Sequence, residues 1–206
     1  MLLLAAGYCL IYGGLSGLTN EFILTDNLMR QDWAATYDES QLEVMLVQRR
    51  KWTLIGYAIL PVVLGLKIFF TGFCVMAASI LLDWEIDFRD VIEVAVQAEL
   101  VFVAAAICQF LWALFLLDIQ SLSDYMAFYP LSALALVKLD SSQLWMAYAL
   151  KSINVFEVGY VTALCWGLVR ISKDRVSRVV TIVTSGYGTG LLLLICAVTF
   201  LSLFVL

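Results

Sequence analysis

The sequence predicts an all-α polytopic integral membrane protein, with about six transmembrane helices in one membrane domain covering residues 1–206. Three observations carry that prediction. First, 63% of the residues are hydrophobic and only 14% are charged, at a mean hydropathy of +0.96. Soluble domains hold about 45–50% apolar and about 25% charged residues. A water-soluble fold of this size buries roughly 70% of its chain surface, which is too little to hide so much apolar side chain. Second, the apolar residues fall in six runs, and a hydrocarbon core about 30 Å thick takes about 20 such residues per helix. Third, most Lys and Arg residues collect in two segments, 19–51 and 170–178, as they do in the loops of membrane proteins.

The first run, 2–18, is Gly-rich. No Lys or Arg precedes Arg30, so the positive start of a signal peptide is missing. Tyr8 before Cys9 also disagrees with a lipoprotein box. The run is therefore expected to remain as a first span. Segment 19–51 is the one sizeable polar stretch. Within it, residues 37–51 place Leu42, Met45 and Leu46 at helical spacing, with Asp38 or Ser40 as cap and Glu39 and Glu43 in the first turns. This predicts a cytoplasmic loop whose amphipathic helix runs into the second span. Its basic end either anchors on anionic lipid or docks a partner.

The remaining residues, 52–206, are expected to form a five-span core. The second span lies in 52–82, too long for one straight helix and interrupted by Pro61 and Lys67. The third is 94–117. The fourth, 125–139, is short and carries Pro130, so it reads as a half-span or a re-entrant piece, which needs protein around its backbone. The fifth is 144–169 and the sixth 179–206. Pro61 and Pro130 each interrupt an apolar run, as transporter half-helices do, but two prolines do not make an inverted repeat. Cys9, Cys74, Cys108, Cys165 and Cys196 all lie in apolar segments without a CxxC, and read as free thiols packed as small apolar residues.

Six spans put the basic loops 19–51 and 170–178 on one side, the cytoplasm by the positive-inside rule. The acidic loop 83–90, Lys138, Lys151 and both termini then face the other side. Trp33, Trp52, Trp84, Trp145 and Trp166 fall near span ends, as in an aromatic belt.

Charged groups deep in lipid cost about 2.5–3.5 kcal/mol each on insertion scales. Lys67, near the middle of 52–82, and Glu157, near the middle of 144–169, therefore need a reason. Asn154 stands one turn before Glu157 on the same face. These three are the candidate binding residues: Lys67 paired with Glu157, and Asn154 as a hydrogen-bonding neighbour. Such a pair either fixes helix packing or forms a substrate or proton site; otherwise both groups reach water. Glu93, Gln97 and Glu99 are read at the start of the third span, with Gln109 deeper. Gly186, Gly188 and Gly190 form a small-residue stripe in the sixth span, and Gly13 and Gly17 a GxxxG in the first, both suited to close helix approach.

Enzyme chemistry is not expected. The chain contains no histidine, which removes Ser-His-Asp and Cys-His nucleophiles, HExxH zinc sites and His proton relays. Asp118 and Asp124, and the cluster Asp83, Glu85, Asp87 and Asp90, read as solvated loop charge without EF-hand spacing. No metal or other cofactor is expected. A net charge of −5 argues against nucleic acid as a partner.

Residues 128–178 resemble the C-terminal half of the Yip family, multispan proteins named for interacting with Rab-type GTPases. The resemblance rests on Phe128-Tyr129-Pro130-Leu131-Ser132, on Trp145 through Phe156 with Asn154 two residues before Phe156, and on Gly167-Leu168 before a polar turn. It implies a five-span core with a cytosolic N-terminal and a lumenal C-terminal end, matching spans two to six. It also implies a scaffold or trafficking role with no catalytic residues to transfer. The family's long polar N-terminal tail is replaced here by the leading span. The expected function is therefore a non-catalytic scaffold or accessory subunit, partnered by the bilayer and by other integral membrane proteins or its own copies. The expected home is the bacterial inner membrane, or alternatively a eukaryotic endomembrane. The second expectation is a small-solute or ion-coupled transporter using Lys67, Asn154 and Glu157.

Overall fold

A computed structural model describes residues 1–34, 37–115, 125, 128–137 and 146–205. Asp118, Asp124, Lys138 and Trp145, singled out above, lie outside them. The described residues are helical and contain no β-strand. In chain order the helices are α1 (Leu2–Leu18), α2 (Asp26–Trp33), α3 (Glu39–Leu81), α4 (Phe88–Ala98), α5 (Leu100–Phe115), α6 (Ala147–Ser152), α7 (Val155–Ser172), α8 (Val176–Val183) and α9 (Thr189–Val205). Wide π turns at Thr19–Ile23 and Thr184–Gly188 follow α1 and join α8 to α9. Four stretches are long and apolar enough to cross a membrane: Glu39–Leu81, Phe88–Phe115, Val155–Ser172 and Val176–Ser202. This is the architecture of an integral membrane protein.

The chain forms two compact units, one of Leu2–Leu64 with Val103–Phe128, the other of Gly65–Phe102 with Tyr129–Leu206 and Met1. In the first, α1 has 17 residues and is about 26 Å long at about 1.5 Å per residue. Gly17 of its GxxxG lies near the Tyr57 hydroxyl, whereas Gly13 meets open space. The amphipathic helix expected over 37–51 is the beginning of α3. The Asp38 carboxylate accepts from the Glu39 N–H at 2.9 Å, and the Gln41 side chain accepts from the Asp38 N–H at 3.3 Å. Leu42 and Leu46 are buried, as is Met29 of α2. Asp26 of α2 bonds both Arg49 and Arg50 of α3, and Arg30 lies 3.9 Å from Glu43. In this unit Gln109 of α5 donates to the Phe128 carbonyl at 3.2 Å.

α3 continues through Pro61 for 43 residues, where an interruption was expected. A proline removes one backbone bond and crowds the preceding turn. Breaking the helix in hydrocarbon would expose several more unsatisfied groups, so absorbing the proline is the smaller loss.

In the second unit α4 packs on α7 and α7 on α8. Small residues set the distances. Gly167 faces Val94 closely, and Gly159 lies over Val101. A Cβ on Gly186 would come within 2.5 Å of the Cys74 carbonyl oxygen, and Gly190 faces the Cys74 sulfur. A Cβ on Gly188, between them, would meet open space. The interior is Val75, Val91, Val94, Leu164, Leu168, Val179 and Ile182, all fully buried. Trp84, just beyond the end of α3, is buried against protein.

Two sequence expectations are corrected in this unit. The fifth run is not one helix: α6 ends at Ser152, and α7 starts anew after Ile153 and Asn154. Part of the fourth run fills that break. Ala133 N–H bonds the Ile153 carbonyl at 2.8 Å, and Val155 N–H bonds the Leu131 carbonyl at 3.0 Å, around the antiparallel bridge Ser132–Asn154. The described residues 128–137 of the fourth run also hold the short 3-10 turn Ala133–Leu136. The second correction concerns sidedness. Arg178 donates to the carbonyls of Leu82 and Asp83 at 3.3 and 2.8 Å, so the loop after α3 and the basic loop before α8 share one end. Basic residues therefore do not separate these two loops onto opposite faces.

Candidate functional site

Four segments of the second unit carry polar groups inward to one level. Counted at about 1.5 Å per helical residue from the end bearing the 82–87 and 173–175 turns, Glu99 lies about 17 Å deep, Lys67 about 21 Å and Glu157 about 22 Å. Lys67 and Glu157 each have apolar neighbours along their helices, and Glu99 stands at the junction of α4 and α5. α4 and α5 meet at Glu99, whose N–H bonds the Ala95 carbonyl at 3.2 Å. α3 supplies Lys67 and, one turn on, Thr71. α7 supplies Glu157 and Tyr160. The π turn supplies Tyr187, one of its buried residues.

Lys67 pairs with Glu99, not with Glu157. Its Nζ donates to Glu99 Oε2 at 3.0 Å and stands 3.0 Å from Oε1. Oε1 is off the hydrogen-bonding line, and is a buried oxygen without a hydrogen-bond donor. The carboxylate side chain is 1% exposed and the lysine 36%. The ammonium lies over the Phe102 ring, 3.4 Å from its centroid, and 5.2 Å from that of Tyr160. Aromatic faces attract a cation most strongly where water is excluded, so Phe102 and Tyr160 complete the shell that the single carboxylate leaves open.

Glu157 belongs to the same cluster by another route. Its Oε1 accepts from the Tyr187 hydroxyl at 2.5 Å. The Tyr160 and Tyr187 rings lie 5.4 Å apart, and Phe102 and Tyr160 4.9 Å apart. Tyr160 also shares a 3.2 Å hydrogen bond with Thr71. The result is a linked row: Glu157, Tyr187, Tyr160, Lys67 and Glu99. Asn154 is spent on the backbone. Its Oδ1 accepts from the Glu157 N–H at 2.7 Å and its amide donates to the Lys151 carbonyl at 2.9 Å. It is the N-cap of α7, and it positions Glu157 in the first turn, where the helix dipole favours a carboxylate.

Of the three candidates, the structure brings Lys67 and Glu157 into one cluster and gives Asn154 a capping role. Sequence reasoning noted Glu99 at a span start but not as the partner of Lys67, and missed Thr71, Tyr160 and Tyr187. Chemically the cluster holds two carboxyl groups, one ammonium and two phenols, so it can bind a cation or proton or lock helices together. No family model matches the chain, and no curated protein or solved structure matches it.

Proposed function

We propose that the protein is a non-catalytic multi-pass scaffold or accessory subunit of a membrane protein complex. The observation that carries this reading is the Lys67–Glu99 pair, with its carboxylate buried and its ammonium set against two aromatic rings. A transported solute needs open, wettable groups; here Glu99, Thr71, Tyr160, Tyr187 and Glu157 are bonded to neighbouring side chains. A pair of this kind works as a registry device, fixing which helix faces meet. The small-residue contacts at Gly167, Gly186 and Gly190 serve the same end. The reading includes α1 as a further membrane element, the fourth run as a re-entrant piece that does not cross, since the loops after α3 and before α8 share one end, a Yip-like core, and a bacterial inner-membrane home. Its partners are other integral membrane proteins or further copies of this chain.

Affinity purification in mild detergent, followed by native mass spectrometry, tests it. A stoichiometric integral membrane partner or a defined homo-oligomer is expected. A lone monomer that drives solute uptake in liposomes refutes it.

One observation favours the ion-coupled carrier as second reading. The cluster holds two carboxyl groups and one ammonium, and the Lys67 side chain is partly exposed. Proton-dependent uptake abolished by Glu157→Gln supports the carrier; uptake indifferent to that change counts against it.

A further inference from the structure

In the first unit a cavity of about 440 Å³ opens where α3 passes from its polar start to its apolar run. Arg49, Arg50, Asp26 and Glu21 make its charged rim, with Asn20 and Thr53. Gly17, Leu54 and Tyr57 make its apolar wall. Charge at one end and hydrocarbon at the other is the polarity profile of a lipid at the membrane surface.

The rim charges narrow the ligand further. Two guanidinium groups and two carboxylates give no net charge, so a simple anion gains little by entering. Arg49 is committed: its Nη2 donates to Asn20 Oδ1 and to the Leu24 carbonyl, each at 2.8 Å, and its Nη1 lies 3.6 Å from Asp26. Arg50 bonds Asp26 through one nitrogen only, and its side chain is 72% exposed. Its other donors are available to a phosphate, in the fork geometry that suits one. Glu21 is exposed and makes no ion pair among the described residues. It can accept an ammonium.

We propose that this cavity binds the headgroup of a zwitterionic phospholipid, its phosphodiester on Arg50 and its ammonium on Glu21. The acyl chains lie along Leu54 and Tyr57. The site is independent of the Lys67 cluster and of the scaffold reading.

Native mass spectrometry of the full chain tests it, with phosphatidylethanolamine, phosphatidylglycerol and free phosphoethanolamine as probes. Phosphatidylethanolamine should bind in preference to both. Arg50→Ala should weaken both lipids about tenfold, the loss of one charge-assisted contact. Glu21→Gln should erase the preference for phosphatidylethanolamine while leaving phosphatidylglycerol bound. Both side chains are exposed, so thermal melting of each variant should match the parent; if Arg50→Ala misfolds, Glu21→Gln alone decides. Equal binding of the two lipids by the parent overturns the proposal. So does a preference that survives Glu21→Gln, or free phosphoethanolamine binding as tightly as the lipid.

Discussion

Replacing Lys67 by Met keeps most of the side-chain length and deletes the charge. Glu99 then remains as a carboxylate with 1% of its side chain exposed and no counter-ion at 3.0 Å. Breaking a buried pair costs about 3–5 kcal/mol. Protonation sets a ceiling: neutralising a carboxyl of ordinary value about 4.3 near pH 7 costs about 3.7 kcal/mol, at about 1.36 kcal/mol per pH unit. The 36% exposure of Lys67 means that part of its charge is screened from outside the pair, which lowers the expected loss to about 2–3 kcal/mol. SDS titration of the detergent-solubilised protein, with the buried thiols of Cys74 and Cys165 as labelling reporters, measures it. Lys67→Met should lower the midpoint. Adding Glu99→Gln should recover more than half of the loss, and adding Glu157→Gln distinctly less. Equal rescue by the two, or a coupling below about 0.5 kcal/mol for Lys67 and Glu99, would refute the pairing.

Three further outcomes follow from the same geometry. Tyr187→Phe removes the 2.5 Å bond to Glu157 and should cost about 1.5–3 kcal/mol, as for hydrogen bonds to charged groups; unchanged denaturation would count against it. Gly186→Ala must push a backbone carbonyl aside and should cost about 1–3 kcal/mol, while Gly188→Ala should be nearly neutral; faster thiol labelling of Cys74 in the first variant alone checks the pair. Asn154→Ala should cost about 1 kcal/mol through lost capping, read as faster hydrogen exchange over 155–158, with no such change at 160–170.

Much of the fold was legible because hydropathy is additive along a helix. The runs 52–82, 94–117, 144–169 and 179–206 each overlap a stretch long and apolar enough to cross. The depths were less legible. α4 starts at Phe88, not Val94, because Val91, Val94 and Ala95 form a buried face among charges that an average over the window cancels. That shift carries Glu99 from a supposed interface to a buried position. Asn154 and Glu157 were read as neighbours on one helix face. Their spacing is equally that of an N-cap and its third residue, the one local signal that α7 begins there. Tyr160 and Tyr187 gave no signal, since a tyrosine in an apolar run is ordinary until its hydroxyl is found to have a partner. The sidedness inferred from Lys and Arg failed for a similar reason: Arg178 serves carbonyl groups of a neighbouring turn, and charge counting assumes that each such residue answers only to the bilayer.

The π turn at Thr184–Gly188 has one residue more than an α turn would hold. That surplus acts as a shim. A turn that already takes up one extra residue has no room for a second, and each α residue advances the helix by about 100°, so inserting one residue beside Ser185 should swing everything from Thr189 onward by about that angle against α8. Tyr187 and Gly190 could then no longer address Glu157 and Cys74 together. Cysteine cross-linking between α3 and α9 would register the rotation, and an unchanged pattern would show that the turn tolerates lengthening. The last span is thus keyed by length as well as by composition, and a single-codon insertion there would be felt more sharply than most substitutions in the same helix.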